Sequence, residues 1–378
     1  MQTLTFDSTG LKDSSTVAMP RRDRAGIVLA GPTGKVGRAL VRLLETRRSL
    51  HRDERRMDLK VIGAVNTQRM VWDENGISPQ QLLSDLGRGE PAHWAKCSER
   101  MGSYRELPLI FLDCTASAFL AREYLGLLEA GIAVVTPNKI ANTLDYPYYQ
   151  ALRRLGRNRR TPYLYETTVG AATPMLRALD DLCRTGDQIQ RIEGVLSGTL
   201  SFVFSRLNRG SLFSEAVREA ARLGYTEPHP ATDLSGEDVA RKLLILTREA
   251  GYRIERDEIT VESLVPPGFQ SVPDPDEYLA RLSALDAAWA ESVERAHRNG
   301  HRLTYLASFD GSRATVGIAE VPKDSPFVHL RPSENAVHYY SDRHTPVPLT
   351  IQGMGAGPDV TARGVLADVM HTATEIAV

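Results

Sequence analysis

The sequence predicts an α/β domain on a parallel sheet, followed by an α+β domain with an open sheet. Three observations predict it. The apolar run AGIVLA, from Ala25, leads through a glycine turn into RALVRLLETRR, whose apolar residues recur at helical spacing. Two further apolar runs, LIFLDCTAS and IAVVTPNK, each end in a polar turn, as strands of doubly wound sheets do. Later, LTYLASFD and ATVGIAEVP alternate apolar and polar residues around the turn Asp310-Gly311, which reads as an antiparallel pair.

Composition narrows the function classes. The 378 residues are enough for two or three cores, and apolar and charged fractions are those of a globular protein. A net charge of −1 points to neither nucleic acid nor an anionic membrane. No apolar run approaches the roughly eighteen residues of a membrane span, and no apolar h-region marks a secretory signal. Cys97, Cys114 and Cys183 are too few and too scattered for a disulfide frame or a zinc site, which fits a reducing, cytoplasmic setting.

Residues 1–23 are polar and end near Arg21, Arg22 and Arg24, which predicts a mobile tail. The first domain spans 24–143. Gly31, Gly34 and Gly37 form GxxGxxG, with Lys35 and Val36 opening the helix. Glycines there let a backbone approach a pyrophosphate, which also gains from the helix N-terminus. This is a Rossmann-type arrangement. The second strand, LKVIGAV, ends at Asn66, where an NAD site usually places an acid for the ribose. Asn66 and Arg69 stand there instead, so no carboxylate repels a 2′-phosphate and Arg69 can pair with one, though a solvated arginine fits as well. Residues 72–105 read as a polar insertion with helical pieces around Gln80 to Leu86. Asp113 to Ser117 and Lys139 fall at carboxyl ends of parallel strands, the ligand side of such sheets. Residues 143–160 read as a basic helix leaving the domain.

The second domain, 160–345, contains the richest stretch. Gly224 to Asp233 is a loop by its two prolines, Pro228 and Pro230. Ser235 is the expected N-cap of the next helix, with Asp238 completing a capping-box-like pair. Val239, Leu243 and Leu246 make the buried face. Asp238 and Lys242 lie four apart, a spacing that also suits a plain surface ion pair. Glu227 and Asp233 crowd two more carboxylates beside Tyr225, a pattern suited to a substrate with an ammonium group. A lysine with a perturbed pKa is a fitting proton carrier for a carbonyl or alcohol. Near the C-terminus, Gly353, Gly355 and Gly357 give a backbone that can approach a ligand, followed by a helix from Val360 to Thr372.

GYTEPHPATDLSGEDVARKLLILTRE resembles the substrate helix of homoserine dehydrogenases, and the similarity runs from about Arg24 to Val378. It is closest to the dehydrogenase half of fused aspartokinase–homoserine dehydrogenases. The resemblance implies reversible reduction of L-aspartate 4-semialdehyde to L-homoserine by NAD(P)H; the missing ribose acid and Arg69 favour NADP(H), with NAD(H) an alternative. It places Thr115, Ala116 and Ser117 against the nicotinamide half of the cofactor, and makes Lys139 of TPNKIANT catalytic beside Lys242 and Asp238. Gly198 and Thr199 of SGTLS match residues lining the substrate. YETTVGAAT matches a turn holding a structural monovalent cation such as Na+, with Glu166, Val169, Ala171 and Thr173 as the matching positions. A homodimer through the second sheet is implied, as is a C-terminal helix, 360–378, returning to the first domain. No kinase or regulatory domain is expected on this chain. Departures are Ile140 for a second lysine, Ala172 for a glycine, and His229, Ala231 and Thr232 for two aspartates and an arginine. They leave two alternatives open: an enzyme of a related amino aldehyde, or an NAD(P)-binding protein without turnover.

Overall fold

The computed structural model describes residues 23–49, 57–157, 161–265, 268–269 and 272–376. The expected mobile tail therefore lies almost wholly outside the described residues.

The first sheet is built from β1 (Asp23–Ala30), β2 (Met57–Val65), β3 (Arg69–Trp72), β4 (Glu90–Pro91), β5 (Leu109–Asp113), β6 (Ala133–Val135) and β7 (Tyr163–Leu164). Their order is β4-β3-β2-β1-β5-β6-β7. β1 pairs in parallel with β2 on one side and β5 on the other, so the strand order reverses there. That reversal opens a crevice at the carboxyl ends of β1 and β5, the usual ligand position of such sheets. All five residues of β5 are buried, because helices cover both faces of a parallel sheet.

Two expectations change. Residues 72–105, helical around Gln80 to Leu86 as read, are more than an insertion: β3 and β4 extend the sheet edge in antiparallel fashion. Their helices, Pro79–Arg88 and Trp94–Ser103, bury Leu82, Leu86, Cys97 and Met101, pairs spaced four apart on one face. The first sheet also continues past residue 143, since β7 pairs with β6.

The second sheet contains β8 (Ile189–Val195), β9 (Ile259–Val261), β10 (His301–Phe309), β11 (Ala314–Pro322), β12 (Glu334–Ser341) and β13 (Leu349–Met354), in the order β13-β12-β8-β10-β11-β9. β10 and β11 pair antiparallel as expected, through a tight loop in which Asp310 Oδ1 accepts from the amides of Ser312 and Arg313. Leu200 and Phe204 of the Gly198–Leu207 helix and Leu243 and Leu246 of the Glu237–Glu249 helix share a core with Tyr305, Phe309, Val337 and Tyr339. Among the described residues no helix is long and apolar enough to cross a membrane.

The chain then packs its last helix against the first sheet. The Pro358–Ile376 helix puts Ala362, Val365, Val369 and Ala373 into one cluster with Ile27, Leu29, Leu40 and Ile110. Asp368 is its polar anchor: Oδ2 accepts from the Glu166 amide at 3.1 Å and Oδ1 from Arg177 at 3.0 Å. Burial, and then the Glu166 carboxyl, push its pKa up to about 7. Replacing Asp368 by alanine leaves a buried amide without a partner, so we expect a loss of about 1–3 kcal/mol in chemical denaturation. An unchanged midpoint would mean the helix is held by its apolar face alone.

Candidate active site

The glycine turn occupies the β1 end of the crevice. Gly31 is left-handed, with φ +75°, and its amide donates to Val65 O at 2.8 Å. A methyl on Gly31 would meet Thr115 Cγ2 at 2.7 Å, so this turn and the loop after β5 touch. On Gly37 it would lie 2.1 Å from Gly31 O; this glycine lets the helix pack on the turn. Gly34 differs, since its nearest neighbour would be Gly31 O at 3.5 Å, and it faces open space with Lys35 exposed and Val36 half-buried beside it. Open backbone at the start of the Lys35–Ser49 helix fits a pyrophosphate. At the end of β2, Asn66 Oδ1 accepts from the amides of Gln68 and Arg69, at 2.9 and 2.8 Å, and so shapes the turn. Arg69 is exposed, with one guanidinium nitrogen on Gly89 O at 3.0 Å.

Across the crevice, Thr115 N donates to Asp113 Oδ1 at 2.8 Å and Ser117 N to Thr115 Oγ1 at 3.0 Å, which fixes the loop containing Ala116. Lys139 stands just before the short Ile140–Thr143 helix. Its Nζ lies 3.3 Å from Asp238 Oδ1, and Asp238 Oδ2 lies 2.9 Å from Lys242 Nζ. One carboxylate thus bridges two lysines from different domains. Desolvation in the cleft opposes ionisation of Asp238, but the charges of Lys242 and then Lys139 outweigh it and hold the carboxyl well below the usual range. Lys242 also donates to Leu196 O at 2.7 Å, where it meets the turn from β8 into the Gly198–Leu207 helix.

The helix carrying Asp238 and Lys242 starts differently from the expectation. Its N-cap is Gly236, left-handed at φ +77°, while Ser235 has αR geometry and ends the short Ala231–Leu234 helix. A methyl on Gly236 would lie 2.0 Å from the Tyr305 hydroxyl, so only glycine makes this turn. The Ser235 hydroxyl donates to Thr232 O at 2.7 Å, and Asp238 faces the lysines in place of closing a capping box.

Asp233 and Thr199 meet beside this turn. Asp233 Oδ1 takes the Thr199 hydroxyl at 3.0 Å, and Oδ2 takes the Glu227 amide at 2.8 Å. Thr199 Oγ1 also lies 2.5 Å from Tyr225 O, so its single hydrogen is shared between the two acceptors. Burial raises the Asp233 pKa, against these hydrogen bonds, which lower it. The Glu227 side chain is exposed. Gly198 packs close to Ser333, whose carbonyl accepts from the Gly355 amide at 2.9 Å, so the 353–357 segment adjoins this wall. Gly357 is left-handed, φ +121°, just before the C-terminal helix.

The 166–173 turn is less simply a cation site. Glu166 Oε1 and Oε2 accept from the amides of Leu176 and Arg177, each at 2.8 Å. The carboxylate therefore caps the Met175–Arg184 helix through both oxygens. The turn itself is tight, with Gly170 at φ +78° and Ala171 at φ +51°; Thr173 Oγ1 donates to Met354 O. Among the described residues no three His, Cys, Asp or Glu are grouped to hold a metal ion.

Asp113 was placed on the ligand side without a part of its own, and Asn138 and the Leu196 carbonyl went unnoticed in the sequence as site elements. An acid ending an otherwise apolar parallel strand was the available signal for the first.

A doubly wound sheet whose glycine turn and crevice face two lysines on one carboxylate is an arrangement that fits a nicotinamide-dependent oxidoreductase. The homoserine dehydrogenase family model matches residues 174–370, and the model of that enzyme's NAD-binding domain matches 33–166. An Emericella nidulans homoserine dehydrogenase is 40% identical over 273 residues, covering 69% of this chain and 74% of that protein. The chain belongs to the homoserine dehydrogenase family. A Haemophilus influenzae bifunctional aspartokinase/homoserine dehydrogenase is 36% identical over 340 residues, 90% of this chain; the chain spans 42% of that relative's length. A Candida auris protein of unknown function superposes with TM-score 0.84 at 32% identity, covering 93% of this chain and 98% of that one. A hyperthermophilic archaeal homoserine dehydrogenase, solved with NADPH, shares the fold at TM-score 0.68 and 23% identity, covering 92% of this chain and 97% of that one.

Gly37→Ala should displace the helix from the turn. We expect cofactor affinity, read by nicotinamide fluorescence, to fall by about tenfold or more. Unaltered affinity would place the pyrophosphate elsewhere.

Proposed function

We propose that this chain interconverts L-aspartate 4-semialdehyde and L-homoserine, with NADP(H) as the preferred cofactor. The observation that carries the reading is the Lys139–Asp238–Lys242 bridge across the cleft, beside Asp233 and Thr199. The cofactor supplies or accepts the hydride when bound. Asp233 and Glu227 attract the substrate ammonium group, and Thr199 with Gly198 and Tyr225 shapes the wall around it. Lys242 has three N–H donors. Two point at Asp238 and Leu196 O, which leaves one for the substrate oxygen. Lys139 approaches from the other domain. The two lysines polarise the carbonyl and deliver its proton in reduction; in the reverse direction one of them, neutral, takes the alcohol proton.

The altered loop residues do not favour another substrate. His229 Nδ1 accepts from Ala231 N at 3.2 Å, so Nε2 carries the hydrogen toward Val272 O at 2.9 Å, and the ring packs edge-on against Tyr278. His229 is thus committed to tethering the loop. Thr232 is exposed.

Further parts of the reading are a homodimer through the second sheet, a cytoplasmic setting, and a structural Na+ or similar ion. The face of β8 opposite the helices carries Arg191 and Glu193, with Arg191 3.7 Å above the Tyr340 ring. Free Cys97, Cys114 and Cys183 suit a reducing compartment. An ion at the 166–173 turn would rest on main-chain carbonyls of Glu166, Val169, Ala171 and Thr173, hard oxygen ligands, without the Glu166 carboxylate.

NADP(H) preference rests on the missing acid after β2 and on exposed Arg69. Arg69→Ala should lower kcat/KM for NADPH by about tenfold and leave NADH nearly unchanged. Equal losses would remove Arg69 from cofactor choice. The main test is NADPH oxidation with aspartate semialdehyde. Lys242→Met and Lys139→Met should each lose about 10²–10⁴-fold in kcat with cofactor still bound. Near-normal turnover in both variants would defeat the assignment.

A further inference from the structure

We infer that Asp113 is a positioning residue, whose buried carboxylate sets Lys139 in place by clamping the loops that leave β5 and β6. The inference rests on the reading of Lys139 as a catalytic group.

Asp113 ends β5 and is completely buried. A carboxylate in such a place is costly unless its oxygens are filled. Three hydrogen bonds fill them. Oδ1 accepts from Thr115 N at 2.8 Å; Oδ2 accepts from the Tyr124 hydroxyl at 2.5 Å and from Asn138 Nδ2 at 3.2 Å. The donors come from the loop after β5, the helix that follows, and the loop after β6.

The last of these loops carries Lys139, and both its neighbours in sequence are tied. Asn138 Nδ2 also donates to Ser117 O at 3.1 Å, and its Oδ1 accepts from Ile140 N at 3.0 Å. Asn138 N donates to the Thr136 hydroxyl at 2.9 Å, which donates in turn to Asp113 O, also at 2.9 Å. The backbone on either side of Lys139 is therefore registered against Asp113, through side chain and carbonyl alike. From that fixed base Lys139 reaches Asp238 Oδ1 at 3.3 Å in the other domain. Displacing a reacting group by about 1 Å costs on the order of 100-fold in rate. A clamp on the residue next to Lys139 is thus a clamp on turnover.

Asp113→Asn tests this with little change of shape. The amide oxygen still accepts from Thr115 N. The new NH2 faces Tyr124, whose hydroxyl can turn and accept, but it also faces Asn138 Nδ2, donor against donor. The damage centres on the turn that holds Lys139. We expect kcat to fall about 10- to 100-fold. Cofactor Kd, read by nicotinamide fluorescence, should stay within about threefold, since the glycine turn is untouched.

The decisive measurement is a double-mutant cycle with Lys139→Met. If Asp113 acts through Lys139, Asp113→Asn should cost less than about threefold in kcat once Lys139 is methionine. Costs that multiply, or a cofactor Kd weakened in step with kcat, would overturn the inference while leaving Lys139 catalytic. Near-normal turnover of Lys139→Met alone would instead defeat the underlying reading, and the inference with it. Should Asp113→Asn fail to fold, Asn138→Ala cuts the same link from the other side and enters the same cycle with the same two outcomes.

Discussion

The site depends on one carboxylate, Asp238, held between two ammonium groups that arrive from separate domains. Its strength is not what joins those domains. Asp238 is half-exposed, and ion pairs at that exposure contribute about 0.2–1 kcal/mol each. The mechanical join lies at the far end of the same helix. There Arg248 donates to the carbonyls of Asn142 and Leu144, at 2.9 and 2.7 Å, and Glu249 accepts from the hydroxyls of Tyr149 and Tyr165. Arg153 closes the cluster at 2.9 Å from Glu249. The helix is anchored in the first domain by its last turn and presents its first turns to the cleft. Buried bonds hold it, while the weaker, solvent-touched bridge aligns the reacting groups.

Much of this was legible because it follows from period and punctuation. Continuous apolar runs marked β1, β5 and β6, and glycines at 31, 34 and 37 marked the turn. Lys139 was marked by its place at a strand end, and Asp238 with Lys242 by helical spacing beside two further acids; the resemblance supplied their catalytic part. The failures share a physical cause: competition between local signals that only tertiary contacts decide. Ser235 is a good N-cap by type, yet the Tyr305 hydroxyl crowding position 236 forces the turn through glycine. Glu166 has the chemistry of an ion ligand, and that it also caps a helix end ten residues on, through both oxygens, no local signal shows. The short strands β3 and β4 carry no periodicity long enough to be recognised. Asp113 was seen as part of a ligand-side loop, but its function as a hub depends on Tyr124 and Asn138, whose proximity no spacing reveals.

Buried carboxylates recur as the organising device. Asp113, Glu166 and Asp368 each accept from at least one main-chain amide, and Asp368 ties together segments far apart in the sequence. Apolar packing fills both cores. These carboxylates fix which loop lies against which, and the crevice has its shape from them.

The return of the C-terminal helix bears on how the chain is made. The apolar flank formed by Ile27, Leu29, Leu40 and Ile110 is covered by residues 358–376. During synthesis the N-terminal half emerges first, but that flank stays open until nearly the whole of the described chain has followed. The second domain, whose strands and helices all lie between, has its full sequence available earlier. Vectorial folding would therefore begin in the middle of the chain and finish at its two ends, with the nucleotide fold the last to close.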